Sequence, residues 1–289
     1  MKIRKAVIPA AGWGTRFLPA TKVLPKEMLP LVDKPLIQYI VEEAIASGIE
    51  QIIIVTSFGK GAIGDYFDRH FELEHILEQR GEKVLLDKVR QAVNMAHICY
   101  IRQKEQLGLG HAILTAKQLV GNEPFAILLP DDIFDAKVPV LKQALDVYQR
   151  YEGSVIAVRH VAREEVNRYG IIEPKQIEER VYQVSALVEK PDHEEAPSDL
   201  AILGRYVFTP EIFKMLEVTP PGKGGEIQLT DGIRLLLREQ AVYSYEFEGQ
   251  YYDAGKPLGL LKAAVALGLN HPEMGTDFRE YLRGLAPDL

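Results

Sequence analysis

Residues 5–30 read KAVIPAAGWGTRFLPATKVLPKEMLP, an apolar run that ends in a glycine-rich turn. KAVIP predicts a buried β-strand, and the turn leaves its carboxyl end. Ligands of open parallel sheets bind at the carboxyl ends of the strands. Gly12 and Gly14 carry no Cβ atom, so backbone amides at this turn can approach phosphate oxygens. The stretch therefore predicts an α/β sheet with an anion site after its first strand.

Two common phosphate-binding motifs do not fit this turn. A dinucleotide fingerprint GxGxxG would need glycine where Phe17 stands, and the P-loop pattern GxxxxGK[ST] is absent. PLVDKPL (30–36) places no acidic residue after a second strand, which disfavours a nicotinamide-dependent dehydrogenase. Three cations, Arg16, Lys22 and Lys26, follow the turn instead, among prolines that stiffen the loop. This pattern favours a polyphosphate cradle over solvated surface charge.

Short apolar runs alternate with amphipathic stretches in the first half of the chain. Strand–helix–strand alternation predicts a parallel sheet with helices on both faces. Runs that are almost wholly apolar predict strands buried on both sides. The predicted strands are 5–9, 51–56, 97–101, 125–130 and 154–159, and the predicted helices are 35–47, 61–79, 110–120 and 138–150.

The pattern changes after residue 160. Strands GIIEP, VYQVSALVEKP and ILGRYVFT follow one another, then helices TPEIFKML and QLTDGIRLLLREQ, strand VYSYEFEG, the short strand YYDAG and helix PLGLLKAAVALGL. We predict a Rossmann-like, doubly wound α/β fold with a mixed, mostly parallel sheet and an elaborated C-terminal half. No linker, low-complexity tract or internal repeat divides the sequence, which predicts one domain over residues 1–289.

Composition narrows the class of protein. The chain carries 34 Lys and Arg against 41 Asp and Glu, a formal net charge of −7, which argues against nucleic-acid or membrane-surface binding. A basic cluster on an acidic chain indicates a local anion site instead. The one cysteine, Cys99, predicts no disulfide within the chain, the histidines lack zinc-ligand spacing, and no apolar run could span a bilayer. We expect a cytoplasmic protein.

Carboxylates follow two of the predicted strands. FAILLPDDIF places Asp131 and Asp132 directly after an apolar run, and YYDAGKP places Asp253 after a short aromatic run. Hard oxygen ligands at a strand end suit Mg²⁺, which takes one or two protein carboxylates and completes its shell with water and phosphate oxygens. The alternative for Asp131 and Asp132 is a turn that caps a helix.

The segment AAGWGTRFLPATKVLPKEMLPLVDKPLIQY resembles the signature of the sugar-1-phosphate nucleotidylyltransferases, and alignable motifs extend from residue 5 to about 265. Within that family the resemblance is greatest to the branch that transfers a uridylyl group from UTP to glucose 1-phosphate. It implies a nucleotide-diphospho-sugar transferase fold. It also implies a nucleotide-binding half (1–160), a sugar-binding half (161–265) and a C-terminal helical extension (266–289).

The resemblance also implies roles for charged residues. Asp131 and Asp253 correspond to the pair that holds Mg²⁺ in the family, and Pro130 replaces a glycine found in many relatives. Arg16 is expected to meet the leaving β,γ-phosphates and Lys26 the α-phosphate. Lys190 is expected to meet the phosphate of the incoming sugar phosphate, and no protein nucleophile is needed.

Other positions match the family's binding residues. The implied nucleotide contacts are Ala11, Gly12, Gly14, Glu27, Gln103, Gly108 and Asp132. The implied sugar contacts are Gly170, Glu189 and Lys190. An amide both donates and accepts, which suits the imide edge of a pyrimidine, and family position favours Gln103 over Gln106 for this contact. Adjacent strand residues such as Glu189 and Lys190 normally point to opposite faces.

Alternatives remain at this point. The same family includes enzymes that use dTTP or CTP, or mannose 1-phosphate or N-acetylglucosamine 1-phosphate, and a catalytically silent sugar-nucleotide sensor could share the fold. Glu226 and Asp231 of GKGGEIQLTD could line the sugar end or an interface. The charged helical stretch 72–95 could be a lid or a contact surface. The family implies a homodimer or homotetramer.

Overall fold

The computed structural model describes residues 2–285. The strands are β1 (Lys5–Pro9), β2 (Pro30–Leu31), β3 (Lys34–Pro35), β4 (Gln51–Thr56), β5 (His97–Arg102), β6 (Phe125–Leu128), β7 (Asp132–Asp135), β8 (Ser154–His160), β9 (Gly170–Glu178), β10 (Val181–Glu189), β11 (Leu200–Phe208), β12 (Val242–Glu246) and β13 (Gln250–Asp253). Every strand predicted from the sequence is present, with ends that shift by a few residues.

The helices separate these strands in the first half and flank them in the second. They are α1 (Leu36–Ala46), α2 (Gly61–Phe67), α3 (Phe71–Gln79), α4 (Lys83–Val93), α5 (Leu109–Thr115), α6 (Lys117–Val120), α7 (Val140–Tyr151), α8 (Glu211–Val218), α9 (Leu229–Leu236), α10 (Pro257–Leu269) and α11 (Gly275–Leu285). The single helix predicted over 61–79 is two helices, because the extended backbone of Asp68 ends α2. No helix of the described part of the chain is long and apolar enough to cross a membrane.

Nine of the described strands form one mixed sheet in the order β5-β4-β1-β6-β11-β8-β12-β10-β9. β5, β4, β1 and β6 are parallel neighbours, β11 is antiparallel to β6 and β8, and β12 is parallel to β8. Both halves of the chain therefore contribute to one sheet, and β10 and β11 run against the other strands. The predicted mixed, mostly parallel α/β fold is confirmed.

Alternate residues of the central strands face two separate cores. Ile8, Ile52 and Ile54 lie in one apolar cluster, whereas Val7 and Ile53 lie in another on the opposite face. Each such side chain contributes about 1.5–3 kcal/mol to the stability of the fold when it is fully buried. This explains why these runs are apolar at every position and do not alternate with polar residues.

A second, two-stranded ladder lies beside the carboxyl end of β6. β7 continues the chain just beyond β6 and pairs antiparallel with β13, so that Asp132 lies opposite Asp253 and Asp135 lies opposite Gln250. The ladder joins segments that are far apart in sequence and places the late YYDAG segment next to the Asp131–Asp132 loop.

The charged stretch 72–95 corresponds mainly to α3 and α4, which connect α2 to β5 and pack against each other. Its centre is the buried carboxylate of Glu74, which accepts hydrogen bonds from Arg69 (2.7 Å) and Arg90 (3.1 Å). Neither helix lines the cavities described below, so the contacts give no support to a lid.

Candidate active site

A cavity of about 460 Å³ lies at the carboxyl ends of β1, β5 and β6. The glycine-rich turn, the loop after β5 and the loop after β6 form its walls. The lining residues are Pro9, Ala11, Gly12, Trp13, Gly14, Thr15, Lys26, Gln103, Gln106, Gly108, Leu109, Ala112, Leu129, Pro130, Asp131 and Glu226. These three loops therefore meet at the carboxyl ends of parallel strands, which is where open sheets bind their ligands.

Glycine is required at one position of the turn and leaves space at the other. Gly14 has a left-handed backbone (φ 67°), and a Cβ there would lie 3.1 Å from Lys26 Cβ. The Thr21 hydroxyl donates to the Gly14 carbonyl at 2.8 Å and fixes the turn. A Cβ at Gly12 would meet nothing within 4 Å, so this position is open toward the cavity.

A buried ion pair supports the turn from below. Lys60 Nζ donates to the Ala10 carbonyl at 2.6 Å and to both oxygens of Glu27 at 2.8 and 2.9 Å. Burial raises the pKa of Glu27 and lowers the pKa of Lys60, although each charge opposes the shift of the other. The carboxylate of Glu27 lies against Lys60 and does not line the cavity, and its expected nucleotide contact stays a prediction.

The amide of Gln103 lies in the cavity wall and is almost fully buried. Its nitrogen donates to the Gly108 carbonyl (3.2 Å) and lies 2.9 Å from His111 Nδ1. Gly108 has a φ of 99°, and a Cβ there would lie 2.7 Å from Glu226 Cβ, so only glycine fits between this loop and residues 226–227. Gln103 and Gly108 both line the cavity, and their expected contacts with a nucleotide stay predictions.

Asp131 forms an ion pair with Lys26 at the cavity. Lys26 Nζ is 2.7 Å from Asp131 Oδ2, and both side chains are about one-fifth exposed. Burial would raise the pKa of Asp131, but Lys26, a backbone hydrogen bond and Arg16 together outweigh burial and hold that pKa below its usual value. Lys26 shows the matching effect, since Asp131 and Glu27 overcome burial and raise its pKa. Both groups are therefore charged at neutral pH.

Asp253 comes within reach of Asp131 through the β7–β13 ladder. A Cβ built on Gly255 would lie 2.6 Å from Asp131 Oδ2 and 3.0 Å from Asp253 Oδ1, so both oxygens face the same point. Lys256 Nζ neutralises the other oxygen of Asp253 at 2.7 Å. The described residues contain no group of three or more His, Cys, Asp or Glu side chains placed to hold a metal. Two converging carboxylates fit Mg²⁺, which takes its remaining ligands from water and phosphate.

Asp132 is directed away from the first cavity. Its Oδ2 accepts from the Gly204 amide at 2.9 Å and its Oδ1 accepts from the Tyr251 hydroxyl at 2.7 Å. Burial and the charge of Asp131 raise the pKa of Asp132 to about 7. Asp132 lines the second cavity and not the first, whereas Asp131 lines both. The expected nucleotide contact of Asp132 stays a prediction.

The second cavity, of about 320 Å³, adjoins the first. It is lined by Arg16, Leu109, Leu129, Asp131, Asp132, Arg168, Tyr169, Glu189, Lys190, Ile202, Leu203, Gly204, Tyr206, Glu226, Gln228, Leu229, Thr230, Tyr251, Asp253 and Lys256. Asp131, Leu109, Leu129 and Glu226 border both cavities. The two spaces therefore meet at these four residues, and Asp131 is one of them.

Glu189 and Lys190 both face this second cavity. β10 ends at Glu189, and Lys190 has a left-handed backbone (φ 44°), so the alternation expected within a strand does not apply to this pair. Lys190 Nζ lies 2.8 Å from Glu189 Oε1, and the Thr230 hydroxyl donates to Glu189 Oε2 at 2.6 Å. A Cβ on Gly170 would lie 3.4 Å from Glu189 Oε2, so this glycine flanks the carboxylate.

The remaining predicted residues divide between the cavities and the surface. Arg16 is exposed and lines the second cavity beside Asp131. Glu226 borders both cavities, whereas Asp231 pairs with Arg234 at 3.1 Å and lines neither. Lys22 is exposed and lines neither cavity.

Sequence reasoning missed Arg205, which is fully buried in β11. Its guanidinium donates to the carbonyls of Leu129 (3.2 Å) and Asp132 (2.9 Å), the two residues that flank Pro130 and Asp131. Glu43 balances the charge at 2.6 Å. The available signal was an arginine inside an otherwise apolar strand, which is unusual unless a buried partner exists. Lys60 and Thr230 were missed because their partners, Glu27 and Glu189, are far away in sequence. Lys256 pairs with Asp253, three residues before it, and was missed although the partner is local.

Comparison with known proteins covers almost the whole chain. The nucleotidyl transferase family model matches residues 5–268. The chain is 55% identical over 284 residues to UTP–glucose-1-phosphate uridylyltransferases of Staphylococcus epidermidis and Bacillus subtilis, covering 98% of this chain and 99% and 97% of theirs.

Solved structures are similar over almost the whole chain. A UDP-glucose pyrophosphorylase complexed with UDP-glucose is 46% identical with a TM-score of 0.86 over 93% of this chain and 100% of that one. A UTP-bound UGPase from Acinetobacter baumannii is 43% identical with a TM-score of 0.92 over 98% and 100%. Members of the family that the model describes generally use a divalent metal. This chain belongs to the nucleotidyl transferase family.

Proposed function

We propose that the chain transfers a uridylyl group from UTP to glucose 1-phosphate and yields UDP-glucose and pyrophosphate. The observation that carries the proposal is the meeting of two cavities at Asp131, beside Lys26 and opposite Asp253. One cavity has a glycine turn and an amide suited to a nucleotide. The other has a carboxylate, a lysine and a glycine suited to a sugar phosphate.

UTP would occupy the first cavity. Ala11, Gly12 and Gly14 offer a backbone surface to the phosphates, and Gln103 meets the base with Gly108 closing over it. Lys26 contacts the α-phosphate. Arg16, at the border with the second cavity, meets the β,γ-phosphates that leave as pyrophosphate.

Glucose 1-phosphate would occupy the second cavity. Glu189 accepts hydrogen bonds from sugar hydroxyls, and the Thr230 hydroxyl, 2.6 Å from one of its oxygens, holds the carboxylate in place. The absent side chain at Gly170 lets the hexose pack on the backbone. Lys190 contacts the sugar phosphate, since its backbone turns it toward the same space as Glu189.

Asp131 and Asp253 would hold Mg²⁺, because one oxygen of each lies within 3.0 Å of a single point, the position of a Cβ built on Gly255. Bound there, the ion would supply positive charge to the non-bridging phosphate oxygens. Lys26 and Lys256 each contact one of these carboxylates at 2.7 Å and hold it in place.

The chemistry needs positioning more than a protein nucleophile. An oxygen of the sugar phosphate attacks the α-phosphorus in line, and pyrophosphate leaves from the opposite side. The two reactants repel each other as anions. Lys26 lines the first cavity, and Arg16 and Lys190 line the second. These cations would bring the reactants together and stabilise charge in the transition state.

Three further features belong to the proposal. We propose one domain over 1–289, with a nucleotide-binding half (1–160), a sugar-binding half (161–265) and a C-terminal extension (266–289) of which 286–289 lie outside the described residues. A homodimer or homotetramer is proposed, supported by the exposed apolar stripe Leu258, Leu261 and Val265 on α10. The cytoplasm stays the predicted location.

The test is pyrophosphate release with Mg²⁺ across a panel of UTP, dTTP and CTP against glucose, mannose and N-acetylglucosamine 1-phosphates. We expect the highest kcat/KM for UTP with glucose 1-phosphate. A higher kcat/KM for another pair would identify that pair as the substrates instead. UDP-glucose binding by isothermal titration together with no turnover for any pair would identify a sugar-nucleotide sensor.

A further inference from the structure

The side chain of Gln103 has both hydrogens of its amide nitrogen committed to the protein. One meets the Gly108 carbonyl at 3.2 Å, and the other meets His111 Nδ1 at 2.9 Å. No described residue donates to Gln103 Oε1. The amide therefore presents its acceptor, and not its donor, to the cavity that it lines.

The orientation of this amide follows from chemistry as well as from the coordinates. A backbone carbonyl can only accept, so the nitrogen of Gln103 must face Gly108 and the oxygen cannot. Gly108 is fixed, because Leu107 and Gly110 on either side of it make backbone hydrogen bonds to Ile227 at 2.7 and 2.9 Å. The second hydrogen then points to Nδ1 of His111, which accepts when the ring proton is on Nε2.

The consequence concerns which base the cavity accepts. Uracil carries a hydrogen on N3 and can donate to Gln103 Oε1. Cytosine carries a lone pair on N3, so the same oxygen repels it. A buried group that is left without its partner discriminates more strongly than an apolar wall does. Rotation of the amide would remove this discrimination.

We propose that His111 is a positioning residue that selects uridine over cytidine nucleotides by holding the amide of Gln103. The inference rests on the proposed function, since it assigns the basis of base choice at the same site. Without His111 the amide keeps one long hydrogen bond to Gly108 and can rotate. The acceptor then no longer faces the base in a fixed direction.

The experiment measures the dissociation constants of UTP and CTP by isothermal titration with Mg²⁺ and without sugar phosphate, so that no turnover occurs. The variants are His111→Leu, which removes the acceptor, and His111→Asn, whose side-chain oxygen can take the place of Nδ1. Thr115→Val is the control, because the Thr115 hydroxyl contacts the His111 carbonyl (2.8 Å) on the same helix but not Gln103. If His111→Leu does not fold by circular dichroism, His111→Ala replaces it.

We expect His111→Leu to lower the preference for UTP over CTP about tenfold, the value of one hydrogen bond of this kind. His111→Asn and Thr115→Val should keep the preference. In steady-state kinetics, His111→Leu should raise the KM for UTP and leave kcat little changed.

Two results contradict different statements. Wild-type protein that binds no uridine nucleotide refutes the proposed function. Wild-type protein that prefers UTP, together with an unchanged preference in the folded His111→Leu or His111→Ala variant, refutes the role of His111 and leaves the proposed function in place.

Discussion

Replacing Gly255 with alanine tests the convergence of the two carboxylates directly. The new methyl carbon would lie 2.6 Å from Asp131 Oδ2 and 3.0 Å from Asp253 Oδ1, whereas ordinary contact begins at 3.4 Å. Gly255 does not have a positive φ, so alanine strains no backbone angle there. Asp131 must therefore withdraw from the shared point, and its 2.7 Å contact with Lys26 is lost.

The size of the effect follows from this displacement. A movement approaching 1 Å in a preorganised site costs about 100-fold in rate. Overpacking costs about 1–3 kcal/mol of stability, and we expect the lower end because the crowded atom is the tip of a side chain. Activity should thus fall far more than the fold is weakened.

The assay is steady-state pyrophosphate release from UTP and glucose 1-phosphate over a range of Mg²⁺ concentrations. Gly255→Ala should lower kcat about 100-fold and raise the Mg²⁺ concentration needed for half-maximal rate. Gly61→Ala is the matched control, because a Cβ there would lie 3.9 Å from its nearest neighbour, Asp65 Oδ2. Turnover of Gly255→Ala within twofold of the wild type, with the same Mg²⁺ dependence, would refute a shared ion site.

Four other outcomes are expected. Lys190→Ala should lower kcat about 100- to 1,000-fold by removing one preorganised charge, with an unchanged circular dichroism spectrum; near-normal turnover would remove Lys190 from the site. Arg205→Met should lower the free energy of unfolding in urea by about 3–5 kcal/mol, because it leaves the carboxylate of Glu43 buried without its partner. The double variant Arg205→Met, Glu43→Leu should recover much of this loss. A double variant as unstable as Arg205→Met alone would contradict the pairing. Two arginines hold the pKa of Glu74 at about 2, so the stability that Glu74 contributes is complete above its ordinary pKa of 4.5 and is lost as the pH falls toward 2. The urea midpoints of wild type and Glu74→Gln should therefore approach each other below pH 4.5, and a constant difference would argue against the ion pairs. Trp13 is the one tryptophan of the chain, and it lines the first cavity with 69% of its surface exposed. The fluorescence of Trp13 should therefore change as UTP is titrated in. A constant emission spectrum would argue against binding beside the turn.

Local sequence determined the frame and much of the site. The apolar runs at β1, β4 and β6 specify strands with two buried faces, because every position of each run needs a core to bury it. The glycine turn follows β1, Asp131 follows β6, and Gln103 follows the parallel edge strand β5. Their place at the carboxyl edge of a parallel sheet could therefore be predicted without coordinates.

Only the tertiary structure decided which side chains face a ligand and which face each other. Asp253 meets Asp131 through the register of β7 against β13, and a shift of one residue in that ladder would turn it to the other face. The carboxylate of Glu27 pairs with Lys60, and that of Asp132 accepts hydrogen bonds from Gly204 and Tyr251. Lys190 faces the second cavity because its own backbone is left-handed. Each of these outcomes depends on a partner distant in sequence or on a single backbone angle. Local hydrophobic periodicity specifies strands and helices, but it contains no information about distant partners or about the backbone angle of a single residue.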